Sequence, residues 1–231
     1  MNRSLRRFNT VAMTLGVALT GCAGSGLASR QPSTPSAARA VAAPAAAPTP
    51  PAAPKATEIV IFGFEGGLEG WSIPDWAKAS SENAGEACLA SQDHAAQGQS
   101  ALEIQTSFPG DRWASAYVER EVEMTDWTPF GQLSVDVYLP ETAPMGLRGK
   151  IILTIGDQWE WTEMNRAIPL QPGAWTPITV SLKRYSMDWK FFPDDEFRKS
   201  VHKIGVRIES DSESAYRGPV FLDNVRLTEF L

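Results

Sequence analysis

Eight tryptophans, Trp71, Trp76, Trp113, Trp127, Trp159, Trp161, Trp175 and Trp189, all lie beyond residue 57. An indole offers a wide flat face that stacks on the C–H face of a pyranose ring, while fixed polar side chains take up the hydroxyls. Trp113, Tyr117, Trp159 and Trp161 are the residues expected to stack in this way, with Arg207 and Glu209 supplying the polar contacts. Core packing is the competing use of aromatic surface, and Trp71 and Trp175, each close behind a glycine turn, are assigned to it. Catalysis has thinner support. The two histidines, His94 and His202, stand far apart in the chain, and no His or Cys grouping has transition-metal spacing. The enzymatic alternative is a lyase or hydrolase using His202 as a base or Glu160 and Glu163 as a carboxylate pair.

The elements that must position these residues read as strands. Beyond residue 57, short runs of alternating apolar residues recur between turn signals, and no segment sustains the helical period. Strands are expected at 58–64, 100–108, 113–122, 132–139, 150–156, 161–170, 175–182, 202–209 and 219–228, with another short one around Cys88. Pro109-Gly110-Asp111, Gln171-Pro172-Gly173 and Arg217-Gly218-Pro219 punctuate them. The segment 183–200 reads as a long polar loop holding one helical turn. So many strands imply an all-β fold, a two-sheet antiparallel β-sandwich or jelly roll. Alternation sends Leu133, Val135, Val137, Ile204, Val206 and Ile208 inward and leaves polar outer faces. In jelly-roll order the strands at 113–122, 150–156, 161–170 and 202–209 share one sheet, so the outward Trp113, Tyr117, Arg207 and Glu209 meet.

Before this domain the composition changes twice. Arg3, Arg6 and Arg7 precede an apolar run from Val11 to Leu19 that is too short for a permanent membrane span, which marks a signal peptide. Leu19-Thr20-Gly21-Cys22 resembles the lipobox of bacterial lipoproteins, which makes Cys22 the expected lipid-attachment site. Residues 1–22 are thus the expected signal segment, 23–57 a flexible, disordered Ala/Pro-rich linker, and 58–231 the folded domain. The expected location is the bacterial cell envelope, lipid-anchored, on the outer membrane. Cys88 then has no disulfide partner in the chain. Six of the 21 Lys and Arg residues and none of the 27 acidic ones precede residue 57, which leaves the domain 15 against 27, a net charge of −12. That field repels nucleic acid and mildly disfavours anionic polysaccharides, leaving neutral glucans, mannans or xylans as first guesses.

The order of landmarks is also familiar. Ile61-Phe62-Gly63-Phe64-Glu65 leading to Gly70-Trp71, then Gly98-Gln99-Ser100-Ala101-Leu102, Leu133-Ser134-Val135-Asp136-Val137-Tyr138, Gly173-Ala174-Trp175 and the closing Phe221-Leu222-Asp223-Asn224-Val225 resemble carbohydrate-binding modules of the galactose-binding-like jelly-roll type. The resemblance implies a domain that binds a polysaccharide or oligosaccharide without cutting it. It also implies a structural Ca²⁺ where the first and last strands meet, with Glu65 and Asp223 as metal ligands. In the alternative, Glu65 is solvated and Asp223 makes a turn hydrogen bond. Related jelly rolls also serve as structural or assembly domains, so a second envelope protein is the alternative partner.

Overall fold

The structure is a computed structural model that describes residues 56–213 and 215–230. The signal segment, Cys22 and nearly all of the linker lie outside the described residues. The described residues form one compact unit. Its strands are β1 (Glu58–Phe62), β2 (Gly85–Ser91), β3 (Ala101–Phe108), β4 (Ser115–Glu121), β5 (Phe130–Leu139), β6 (Arg148–Ile155), β7 (Glu160–Glu163), β8 (Ile168–Pro169), β9 (Ala174–Ser181), β10 (Val201–Glu209) and β11 (Tyr216–Glu229). Two short helices, α1 (Asp75–Lys78) and α2 (Asp195–Lys199), interrupt them. Among the described residues no helix is long and apolar enough to cross a membrane.

The strands form two antiparallel sheets. One runs β2-β3-β11-β5-β9 with β1 also on β11, and the other runs β4-β10-β6-β7 with β8 also on β6. The all-β sandwich expected from alternation is the observed fold, and the four strands expected to share a sheet do so. Leu133, Val135 and Val137 of one sheet and Ile151, Leu153, Ile204 and Val206 of the other are fully buried and build the core. Trp71 joins it, its ring meeting Phe62 and Phe64 edge-on at 5.5 and 5.9 Å. Burial in the β2 region pushes the Cys88 thiol up to about 11, so this free cysteine is a poor nucleophile.

Three expectations need correction. Trp175 is not a core residue: it sits half-buried opposite Tyr138, with ring centroids 5.4 Å apart, because its position in β9 points away from the core. The single strand expected at 161–170 is two, β7 and β8. Between them the chain leaves β6, and Asn165 Nδ2 donates to Met187 O and Trp189 O at 2.7 and 2.8 Å, which ties it to the 187–189 segment instead. The outer face of the β4-β10-β6-β7 sheet is not uniformly polar either, since Tyr117 and Ile152 are buried on it.

Candidate functional site

Register on that outer face sets the site. Tyr117 of β4 stands beside Arg207 of β10 and Lys150 of β6. The next row is Glu119, Gly205, Ile152 and Glu163, and the one after is Glu121, Lys203, Thr154 and Trp161. Gly205 explains how Tyr117 lies: a Cβ there would meet Tyr117 Oη at 2.2 Å, so the phenol ring occupies the space that a side chain would fill. The ring crosses β10 toward Trp161 of β7, with centroids 5.3 Å apart. Trp76 of α1 then closes over both, 5.0 Å from Tyr117 and 5.6 Å from Trp161.

The result is a cleft of about 540 Å³ lined by Trp76, Trp113, Tyr117, Trp159, Trp161 and Arg207, with Glu119 and Lys203 among its polar groups. Trp76, Trp113, Trp159 and Trp161 are between 37% and 55% exposed, whereas Trp71, Trp127 and Trp189 are at most 1% exposed. That division separates indoles available to a ligand from indoles used in packing. Trp159 occupies the hairpin turn between β6 and β7 in a left-handed conformation, φ 55°. Its ring stacks on His202 with centroids 4.4 Å apart and planes 5° from parallel. His202 Nε2 lies 2.9 Å from Gly156 O, so this imidazole holds the turn rather than facing a substrate.

The polar groups are anchored as firmly. Tyr117 Oη donates to Glu119 Oε2 at 3.1 Å, and Lys203 Nζ meets Glu119 Oε1 at 2.8 Å. Burial and then the Glu119 charge hold the Tyr117 phenol far above its ordinary value, so it stays a neutral donor. Arg207 Nη2 donates to Glu163 Oε2 at 2.6 Å, its Nε lies 3.3 Å from Glu209 Oε2, and its guanidinium carbon is 5.9 Å from the Trp113 ring centre. Lys150 and Lys190 also pair with Glu163. Burial pushes the Glu163 carboxyl up, but the Lys190 hydrogen bond and the charges of Arg207 and Lys150 outweigh it and hold the group below its ordinary value.

Of the residues singled out from sequence, Trp113, Tyr117, Trp159, Trp161 and Arg207 meet in the cleft. Glu209 does not line it. It lies one step along β10 on the same face and pairs its charge with Arg207. Trp159 reaches the cleft from the turn before β7, whereas Trp161 does so from β7 itself. Trp76 was not anticipated, because the four residues of α1 are too few to show a period. The available signal was a lone large aromatic in the otherwise polar stretch Pro74-Asp75-Trp76-Ala77-Lys78. Glu160 and Glu163 form no acid–base pair: three positions apart in one strand, they point to opposite faces, and Glu163 is held ionised by cations.

Glu65 and Asp223 both grip the loop between β2 and β3. Glu65 Oε1 accepts from Gln99 N and Ser100 N at 2.9 and 3.1 Å, and Asp223 Oδ2 accepts from Ala96 N and Gln97 N at 2.7 and 3.0 Å. Burial raises the Asp223 carboxyl above its ordinary value against the pull of those amides. Among the described residues no group of three or more His, Cys, Asp or Glu side chains is placed to hold a metal.

A two-sheet antiparallel sandwich with these landmarks in this order has the galactose-binding-like fold. Residues 62–224 match the family described as "Mannanase, galactose-binding domain-like", and the chain belongs to it. No curated protein matches the chain. Among solved structures, a family 27 carbohydrate-binding module of Caldicellulosiruptor saccharolyticus in complex with mannohexaose is similar at TM-score 0.54 and 20% identity, over 74% of this chain and 96% of that one. A family 28 module specific for non-crystalline cellulose is similar at TM-score 0.55 and 19% identity, over 77% of this chain and 98% of that one. Both of those proteins are described as carbohydrate-binding modules, and the likeness shows the shared two-sheet fold.

Proposed function

We propose that the domain holds a neutral polysaccharide in the cleft on the β4-β10-β6-β7 sheet without cleaving it, and that it does so from the bacterial envelope through a lipid on Cys22. The supporting observation is the convergence of four exposed indoles on a tyrosine floor with ionised and hydroxyl groups beside them. Trp76 and Trp161 form walls against which pyranose rings stack, and Glu119, Lys203 and Arg207 take hydroxyls. The family name and the mannohexaose of one relative make β-mannan the first ligand to try. The flanking hydrogen-bonding groups favour sugar over a protein partner, whose docking face would be apolar without them.

Calorimetric titration of residues 51–231 with mannohexaose, cellohexaose and xylohexaose tests this reading. Trp161→Ala removes a stacking wall and is expected to weaken binding of the preferred sugar by roughly 10- to 100-fold, on the order of 1–3 kcal/mol per stacked ring. Unchanged affinity in Trp161→Ala and in Trp76→Ala, or no binding of any of the three sugars by the folded domain, removes the cleft from consideration.

A structural Ca²⁺ at Glu65 and Asp223 belongs to the same proposal. Both supply hard carboxylate oxygens, and the loop they grip carries backbone carbonyls of the kind Ca²⁺ takes. The ion would fix that loop and supply no chemistry to the cleft. Calcium is expected to raise the melting temperature, and Asp223→Asn to abolish the increment. Identical melting in calcium and in chelator leaves the two carboxylates as loop anchors alone.

A further inference from the structure

The connection between β9 and α2 displays apolar surface that the cleft does not use. Tyr185, Met187, Phe191 and Phe192 are 65%, 70%, 54% and 53% exposed within ten residues of chain. Large apolar side chains gathered this way on a folded surface mark a contact.

The segment is built, not loose. Trp189 is fully buried in its middle, donates from Nε1 to Ser181 O at 2.9 Å, and meets Phe197 edge-on at 5.6 Å. Asp188 Oδ2 accepts from Ser181 N at 2.8 Å, and Lys190 N donates to Glu163 O at 3.0 Å. Tyr185 N donates to Pro193 O at 2.8 Å, which brings Tyr185 beside the chain that follows Phe192. Tyr185 itself adopts φ 62°, a left-handed conformation unfavourable to a bulky residue, so backbone strain accompanies the outward display.

Charge narrows the occupant. Residues 183–192 carry Lys183, Arg184 and Lys190 against Asp188, a formal +2 on a domain of net −12; Lys190 pairs with Glu163, so Lys183 and Arg184 are the cations the loop presents. The Arg184 guanidinium lies over the Tyr185 ring at 5.3 Å. Of the carboxylates that follow, Asp194 caps α2 by accepting from Phe197 N, and Asp195 pairs with Arg198 while lying within electrostatic reach of Arg184. Phenyl and thioether groups carry no hydrogen-bonding partner for a sugar, and Met187 has no planar face to stack on one. Aromatic and aliphatic side chains ringed by Lys and Arg are the composition that settles at the headgroup boundary of an anionic bilayer.

We propose that the 183–193 loop is a second binding surface, which seats the domain on an anionic lipid bilayer with Tyr185, Met187, Phe191 and Phe192 entering the headgroup region. The otherwise acidic surface is repelled by that bilayer, so this loop alone faces it and orients the domain. The surface is independent of the cleft.

Co-sedimentation of residues 51–231 with vesicles of phosphatidylethanolamine and phosphatidylglycerol, and with phosphatidylcholine vesicles, tests it; omitting Cys22 removes any acyl contribution. The wild-type domain is expected to partition onto the phosphatidylglycerol vesicles and to release in high salt. Tyr185→Ser/Phe191→Ser/Phe192→Ser should lower partitioning about tenfold or more with unchanged melting and sugar affinity. Lys183→Glu/Arg184→Glu should lower it on anionic vesicles. Absence of wild-type partitioning, or equal partitioning by the aromatic variant, overturns the proposal. Equal binding to both vesicle types with no effect of salt overturns the anionic assignment.

Discussion

Glu163→Gln is expected to lower the melting temperature of the domain by roughly 10 °C at neutral pH, a loss on the order of 3 kcal/mol. Glu163 is 8% exposed in its side chain and is paired with Lys150, Lys190 and Arg207. Neutralising it leaves two largely buried cations, Lys150 at 12% and Arg207 at 17%, with Glu209 as the remaining carboxylate on Arg207. Lys190→Ala is the control: at 57% exposed it is a surface partner, and its removal should cost under about 1 kcal/mol. The pH dependence follows from the sign of the shift. Because the folded protein holds Glu163 below its ordinary 4.5, its contribution is full above that pH and is lost as pH falls through the depressed value. The wild type and Glu163→Gln should therefore differ most near neutrality and converge at acid pH. Equal melting of the two at neutral pH would show that the cluster contributes nothing.

Gly205→Ala should destroy the floor of the cleft. The new Cβ would stand 2.2 Å from Tyr117 Oη, 2.5 Å from Cζ and 2.6 Å from Cε2, and Trp76 and Trp161 leave the ring no easy retreat. Overpacking of this kind costs about 1–3 kcal/mol of stability. A displaced phenol also fills the space a sugar would take, so affinity should fall by roughly 100-fold, about 2.7 kcal/mol. The double variant Tyr117→Ala/Gly205→Ala separates the effects. Adding Gly205→Ala to Tyr117→Ala should leave stability nearly unchanged, since nothing remains to clash, while sugar binding stays weak. Wild-type affinity in Gly205→Ala would refute the account of the floor.

Much of this architecture was legible because sheets write themselves with a period of two. Leu133, Val135 and Val137, or Ile204, Val206 and Ile208, announce both a strand and its buried side, and all six are fully buried. Once strand order was granted, Tyr117 and Arg207 had to be neighbours on one outer face, as they are. What periodicity cannot show is anything set by a turn or by contacts remote in sequence. Trp159 owes its place to a left-handed turn, Trp76 to a helix of four residues, and the partners of Glu163 come from three separate segments. Glu209 follows a related rule: outward alternation gives the side of the sheet, not whether the cavity extends that far. The Trp189 loop was likewise hidden, since buried and exposed aromatics look identical in a sequence without a regular period.

The segment carrying Trp76 is fastened at both ends to the same strand. Ser72 N and Glu119 N exchange bonds with Glu119 O and Ser72 O at 3.1 and 2.9 Å, while Ser115 N donates to Glu82 O at 2.9 Å and Ala84 N to Ser115 O at 2.8 Å. Between those clasps the chain contributes only a small share of the core, chiefly Ile73 and Ala77. Substitution or lengthening there would redraw one wall of the cleft while the sandwich folds as before. Selectivity in this domain thus has a replaceable part, on which descent with modification can act without first having to rescue the fold.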